Sequence, residues 1–225
     1  MVCRVGKRRL VTLSHGVGVL LRDDFERADT SAGDLGTPPI GSAWVLKAPY
    51  VASYPLPASS YGQIASGAFV VPGGQTVYAF TTVARTPKVF EVEWSWVDDS
   101  VGTQFTTLAV IVSSSANGID TMLHITVTNG VCNIQKRLSG GSFITMNTGS
   151  TSIGPSLALA NTVHRLQLDI SGDTVRVRID NTRYDVSVTD AAISDVVGPV
   201  LAVEHYSAST DVRWPMQIHR VEARG

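Results

Sequence analysis

Charge is the scarcest ingredient of this chain. Asp, Glu, Lys and Arg make up 16% of its 225 residues, and 18 basic side chains against 19 acidic ones leave a formal net charge of −1. Soluble domains usually carry about 25%. A chain so nearly neutral has no electrostatic footprint for a nucleic-acid backbone. The single basic cluster, Arg4, Lys7, Arg8 and Arg9, reads as a solvated arm. Cysteine is almost missing as well. Cys3 sits at the N-terminus and Cys132 inside a strand pattern, too few and too far apart for a disulfide scaffold, so both read as free thiols of a reducing compartment. With no CxxC and no His/Cys cluster, zinc is not expected. No run of 18 apolar residues exists, so no membrane-spanning helix is expected. Residues 10–21 follow Lys7, Arg8 and Arg9 in the outline of a secretion signal. Ser14, His15, Gly16 and Gly18 interrupt them, and Leu20, Leu21 and Arg22 occupy the place of a small-residue cleavage site, which argues against one.

Thr, Ser, Gly and Val take the room that charge leaves, and their pattern has period 2. Phe90, Val92, Trp94 and Trp96 alternate with Glu91, Glu93 and Ser95. Ile119, Thr121, Leu123, Ile125 and Val127 alternate with Asp120, Met122, His124 and Thr126. Leu166, Leu168 and Ile170, then Val175, Val177 and Ile179, alternate with charged or amide residues. One set is expected to face a core and the other water, as in antiparallel sheets. Turn signals separate the runs, among them Pro72-Gly73-Gly74, Asn117-Gly118, Asn129-Gly130, Gly140-Gly141, Ser171-Gly172-Asp173 and Asp180-Asn181; such residues accept the positive φ of tight hairpins. About a dozen strands are expected, with one helical turn near residues 191–196. Strands at 8–12-residue spacing indicate a sandwich or barrel, and this length buries roughly 70% of the unfolded surface without a staple.

Three segments resemble a known superfamily. Asp23-Asp24-Phe25-Glu26-Arg27-Ala28-Asp29, followed by Leu35-Gly36 and Trp44, resembles the opening of lectin-like (concanavalin A-like) jelly rolls in bacterial and bacteriophage surface proteins. His164-Arg165-Leu166-Gln167-Leu168-Asp169-Ile170, then Gly172 and Val175 through Asn181, is similar to the penultimate hairpin of laminin-G-like domains. Gly198-Pro199-Val200-Leu201-Ala202 and the residues 212–223 resemble the ending of the same superfamily. The resemblance implies an all-β fold, a two-sheet antiparallel jelly-roll sandwich. Residues 1–19 form an N-terminal arm or edge strand and residues 20–225 the lectin-like domain. The opening motif further implies a phage protein, a capsid or tail accessory subunit.

The candidate chemistry is sparse. Lectin-like hydrolases that resemble this architecture carry Glu-x-Asp-x-x-Glu on one strand. The nearest segment here, Glu91-Val92-Glu93-Trp94-Ser95-Trp96, has Glu93 for the Asp and Trp96 for the last Glu. No catalytic residue is therefore expected, and Glu91 and Glu93 read as outward partners of a buried aromatic face. His15, His124, His164, His205 and His219 are scattered, none paired at ligand spacing. Asp23 and Asp24 are candidate metal ligands beside a Gly-rich loop, with calcium the cation that oxygen donors would take; Asp29 and Asp34 read as turn and cap residues. Residues 49–62 hold three tyrosines and no charge. Tyr50, Tyr54 and Tyr61 are the candidate binding residues, since tyrosine offers a large contact area with few rotatable bonds.

The sequence thus leads to a non-enzymatic structural and adhesion protein of a virion, assembled in the host cytoplasm. Its expected partners are other virion proteins, further copies of itself and host-surface carbohydrate, with neither nucleic acid nor membrane insertion. The alternative is a free carbohydrate-binding module or a glycoside hydrolase on the same fold.

Overall fold

The computed structural model describes residues 18–31, 33–47, 62–71, 76–96, 106–128, 131–147, 151–152, 162–181, 184–207 and 216–225. The sixteen strands found there form two antiparallel sheets. The first, sheet A, contains β1 (Val19–Asp23), β3 (Gln63–Ala65), β4 (Ala68–Val70), β6 (Val89–Trp96), β12 (Val163–Ser171), β13 (Thr174–Ile179), β14 (Tyr184–Thr189) and β16 (Met216–Arg224). Sheet B contains β2 (Val45–Lys47), β5 (Thr76–Thr82), β7 (Thr106–Ser113), β8 (Met122–Thr128), β9 (Val131–Arg137), β10 (Ile144–Thr145), β11 (Thr151–Ser152) and β15 (Val200–Ser207). Sheet A runs β14-β13-β12-β6-β16-β4-β3 with β1 also on β16; sheet B runs β10-β9-β8-β7-β15-β5-β2 with β11 on β9. The chain crosses between sheets again and again, so most pairings join distant segments. The expected helical turn is α1 (Ile193–Val196). The strand read from Ile119 begins at Met122, because Asn117 Oδ1 accepts the Ile119 and Asp120 amides and holds the preceding residues in a turn. Residues 1–17 lie outside the described set, and β1 starts at Val19, opposite Arg224.

The inner faces follow the period-2 pattern. Phe90, Val92, Trp94, Leu166, Leu168, Val175 and Val177 of sheet A meet Leu108, Val110, Val112, Leu123, Ile125 and Val203 of sheet B in one buried cluster. Trp94, Leu123, Ile125, Leu168 and Val177 are fully buried, as the alternation requires; the side chain of Trp96 lies outside the described set. Gly198 shows why a turn residue is fixed. A Cβ there would come within 2.5 Å of the Ser113 carbonyl oxygen, too close for any side chain.

The opening motif is a buried joint between the sheets. β1 ends in sheet A at Asp23, and Trp44 stands just before β2 in sheet B. Asp23 Oδ1 accepts the Phe25 amide (2.9 Å) and Arg27 Nη1 (2.6 Å); Oδ2 accepts Arg27 Nη2 (2.9 Å) and the Trp44 indole Nε1 (2.7 Å). Four donors fill the roughly four lone-pair positions of one carboxylate. Phe25 adopts φ 52°, which places its ring between Trp44 (6.2 Å) and Phe69 (6.1 Å), under the Arg27 guanidinium. This corrects the reading of Asp23 as a metal ligand: its oxygens are spent on protein donors, and a cation would have to displace Arg27. Asp24 stands alone, accepting only the Glu26 amide at 3.4 Å, and no group of three or more metal-ligating side chains is found among the described residues. Asp34 accepts the Gly36 amide two residues on, the turn role expected of it, whereas Asp29 accepts the Ser66 amide between β3 and β4, 37 residues away.

Replacing Asp23 with Ala strands the Arg27 charge and the Trp44 N–H in an apolar joint, so unfolding in denaturant should show a loss of about 3–5 kcal/mol. A loss below about 1 kcal/mol would mean that the joint holds without the carboxylate.

Candidate functional site

The scarce charge is unevenly distributed. The outer face of sheet A carries a mat of ion pairs. Glu91 bridges Arg165 (2.6 Å) and Arg224; Glu222 meets Arg220 and Arg224; Glu93 lies 3.8 Å from Arg220. Arg178 pairs with Asp169 at 2.6 Å, and Arg176 grips Asp185 with two nitrogens. That two-pronged bond holds the Asp185 carboxyl below its ordinary range. Glu91 does face outward, as expected, yet it is buried beneath the arginines that use it.

One contact in this mat was invisible in the sequence. β16 has an irregularity in register between Ile218 and Arg220 opposite β6. His219 falls at that point, with Nε2 2.7 Å from Ser95 Oγ. Residues 124 positions apart in the chain carry no local signal. Ser95 is buried, and burial pushes the His219 imidazole below its usual pKa, against the opposing pull of Glu93. A neutral His beside a sealed hydroxyl works as packing.

The outer face of sheet B differs in kind. Glu204 is the only carboxylate on its eight strands. It pairs across the ladder with Tyr78 on β5 and Ala109 on β7. His124 occupies β8, on the far side of β7. Two strand spacings put the backbones of β15 and β8 roughly 10 Å apart; on β7 His124 faces Ile111 and Glu204 faces the small Ala109, so the two side chains meet on a diagonal across that strand. His124 Nε2 lies 3.3 Å from Glu204 Oε2. Phe143 stacks on the imidazole, centroids 4.8 Å apart, and Arg137 lies over the Phe143 ring. Arg137 also donates to the Ile119, Gly140 and Gly141 carbonyls, tying the 114–121 and 138–143 loops to each other. Towards β2, Tyr78 stacks on Phe80 at 5.5 Å, and the two join Ile111, Met122, Val200 and Ala202 in a second buried apolar cluster. Beyond Phe80 a cavity of about 400 Å³ opens between the 42–45 segment and the 116–117 loop. On the opposite side Thr126, Asn133, Gln135 and Thr145 remain partly or fully exposed.

This second cluster corrects one expectation. Met122 and His124 were assigned to water by the alternation, and both are buried. The signal was present in unbroken apolar runs, residues 108–112 and 200–203, which belong to strands covered on both faces. The aromatic candidates Tyr50, Tyr54 and Tyr61 lie outside the described residues. His164 opens β12 as expected, its Nδ1 2.8 Å from Asp180 and its ring against Trp94. Cys132 is a buried free thiol whose pKa burial pushes up to about 12, which keeps it unreactive.

No protein-family profile matches the chain, and no curated protein is similar in sequence. Solved structures do match. A non-specific endo-β-1,3(4)-glucanase of glycoside hydrolase family 16, SCLam, superposes with a TM-score of 0.58 at 12% identity, over 96% of this chain and 93% of that one. A structure described with endo-acting O-glycanases of the human gut microbiota gives 0.60 at 12%, over 95% and 92%. The CBM2 module of the evolved Dit of Lactobacillus casei BL23 phage J-1 gives 0.57 at 12%, over 92% and 95%. At these identities the likeness establishes the fold, a jelly-roll sandwich that known proteins use both to cleave and to carry carbohydrate-binding modules.

The depressed His219 pKa has a defined consequence. Below its ordinary value of 6.5 the unfolded chain takes up a proton that the folded chain refuses, so this group lowers stability as pH falls from about 7 towards the folded pKa. Thermal melts of wild type and His219→Gln should diverge in that window, with the variant losing less on acidification. Parallel curves between pH 7 and 5 would show that the His219 environment does not discriminate.

Proposed function

We propose that this domain is a non-catalytic carbohydrate-binding protein, an adhesion subunit of a virion, and that the outer face of sheet B is its binding face. The observation that carries the reading is the solitary Glu204 in a setting of aromatic rings, hydroxyls and amides. Glycoside hydrolysis by the usual routes takes two carboxylates flanking the scissile bond, and the strands of this face supply one. Binding a sugar takes a ring face for its C–H side and a few fixed polar groups for its hydroxyls; the exposed Phe143 offers the first and Asn133, Gln135 and Thr145 the second, while Tyr78, Phe80, His124 and Glu204 lie buried. Glu91 and Glu93, the nearest approach to a hydrolase motif, lie on the other sheet and are held by arginines.

The virion setting is supported by the opening motif and by the likeness to a phage Dit module. In that setting the chain assembles in the host cytoplasm with other virion proteins and with copies of itself. The competing reading, a glycan hydrolase, draws on the glucanase and O-glycanase among the similar folds. It requires a second carboxylate beside Glu204 and release of new reducing ends from a bound glycan.

A glycan array probed with the whole chain tests the reading, followed by affinity electrophoresis on the polymer retained. Phe143→Ala, which uncovers His124, should weaken retention about tenfold. Glu93→Gln, on the opposite sheet, should leave retention unchanged. Absence of binding to any glycan, or equal loss in both variants, would refute this assignment, and reducing-end release by the wild type would favour the hydrolase.

A further inference from the structure

We infer that a second copy of this chain pairs with the free edge of β14, antiparallel and about a twofold axis, so that the two copies share one continuous sheet A. The contact lies apart from the proposed glycan-binding face.

The sheet edges differ in how they are protected. β14 and β3 end sheet A; β10 and β2 end sheet B. β2 and β3 span three residues each and β10 two, and edges so short offer little to pair with. β1 also borders sheet A, but Arg22 and Ile40 exchange backbone hydrogen bonds (2.8 and 3.3 Å) along its outer side. β14 is six residues long, Tyr184-Asp185-Val186-Ser187-Val188-Thr189, and keeps an unbroken register with β13. It has no proline, lysine or bulge, the usual devices against edge pairing. Its one charge, Asp185, is held from behind by two nitrogens of Arg176.

The register fixes which backbone groups are free. The Asp190 amide donates to the Asp173 carbonyl at 2.9 Å, and that pair sets the alternation along the ladder. Tyr184, Val186 and Val188 turn their amides and carbonyls to β13. Asp185, Ser187 and Thr189 turn theirs outward, where no described residue meets them. The same three side chains are exposed. An antiparallel twofold centred on Ser187 sets Ser187 against its own copy and Asp185 against Thr189 of the second copy. All three outward residues are then used, with two bonds in each of three pairs, about six in all. The side chains match in this register. Hydroxyls meet a hydroxyl or a carboxylate on one face, and Val186 meets Val188 of the second copy on the other. Asp185 does not face Asp185, so no like charges oppose each other.

This side of the sandwich also offers apolar surface. Lys136 of β9 reaches Asp190, just past β14, at 2.6 Å, and Ile144 of β10 is the register partner of Lys136. The β10 edge of sheet B therefore lies on the same side as β14, and Ile144 is 48% exposed there. A copy paired along β14 stands beside it. A twofold between adjacent antiparallel strands runs perpendicular to their sheet, so both copies keep the same face up and the outer faces of both sheets B look to one side. On the reading of that face as the glycan site, the pair grips a surface polymer at two points and gains avidity without any new sugar contact.

Sedimentation of the whole chain over a concentration series tests the pairing, and wild type should reach a dimer. Ser187→Pro removes an amide that points away from β13, a position where an edge strand accepts proline; it should fold and sediment as a monomer. Ser187→Lys sets two like charges against each other across the axis and should do the same. In a Cys3→Ser background, Ser187→Cys places two thiols on opposed residues whose Cα atoms are about 5.5 Å apart, within the span of a disulfide, and mild oxidation should give a covalent dimer. Thr189→Cys should not, because its copy lies roughly 13 Å away along the strand. On immobilised glycan polymer the Ser187→Pro monomer should be retained at least about tenfold less than wild type, with equal affinity for a monovalent oligosaccharide. Wild type that stays monomeric, or a dimer that both Ser187 variants leave intact, overturns the pairing. A dimer lost in both variants but never cross-linked through Ser187→Cys means that another segment adds to the edge, and overturns the twofold. Equal retention of monomer and dimer on the polymer overturns the two-point grip alone. Absence of glycan binding refutes the proposed function and leaves sedimentation and cross-linking to decide the pairing.

Discussion

A single buried carboxylate holds this sandwich closed. Asp23 terminates the strand that enters sheet A, Trp44 precedes the strand that enters sheet B, and the indole N–H joins them through one oxygen. An ion buried this deeply costs several kcal/mol in lost hydration and is tolerated only when every lone pair is used. Here Arg27, Trp44 and the Phe25 amide use them all. The same constraint orders the crossing loop. Arg27 reaches on to the Leu35 carbonyl, and the loop then bonds to the start of the β3 region through Thr30, Ile64, Gly33 and Gly62. The Asp-Asp-Phe-x-Arg motif is therefore the joint of the fold, and it sets the 42–45 segment beside Phe80, where the cavity opens.

From that joint follows a division of labour between the outer faces. Sheet A sets five arginines, Arg165, Arg176, Arg178, Arg220 and Arg224, against Glu91, Glu93, Asp169, Asp185 and Glu222. Their charges cancel within the mat, and exposed pairs of this kind contribute little stability each. Sheet B is left nearly free of charge, with apolar residues where a half-wet sheet would be polar. A chain poor in ions sets ten of them against one another on one face, whereas Glu204 is the one carboxylate on the strands of the other sheet.

How much of this could be read in advance depended on distance along the chain. The inner faces were legible because period 2 is local, and Trp94, Leu123 and Val177 lie where the alternation put them. The motif around Asp23 was recognisable, but the sequence did not tell a metal ligand from a joint: the partner that distinguishes them, Trp44, is 21 residues away. The Glu204–His124 pair spans 80 residues and the Ser95–His219 contact 124, and both depend on which strands become neighbours. Only the apolar runs of β7 and β15 hinted that sheet B would be covered on its outer side. Interest in Glu91 and Glu93 was drawn by spacing alone, which is blind to the three arginines, Arg165, Arg220 and Arg224, that β12 and β16 deliver to them.

The central claim is that ligand meets the outer face of sheet B around Glu204. Backbone amide chemical shifts followed by NMR during titration with a neutral oligosaccharide retained on the array test it most directly. The expected perturbations cluster at Tyr78, Phe80, His124, Gln135, Phe143 and Glu204 and spare Glu91, Arg165, Arg178 and Arg220. Perturbations concentrated on the arginine mat of sheet A, with Glu204 and His124 unmoved, would contradict it.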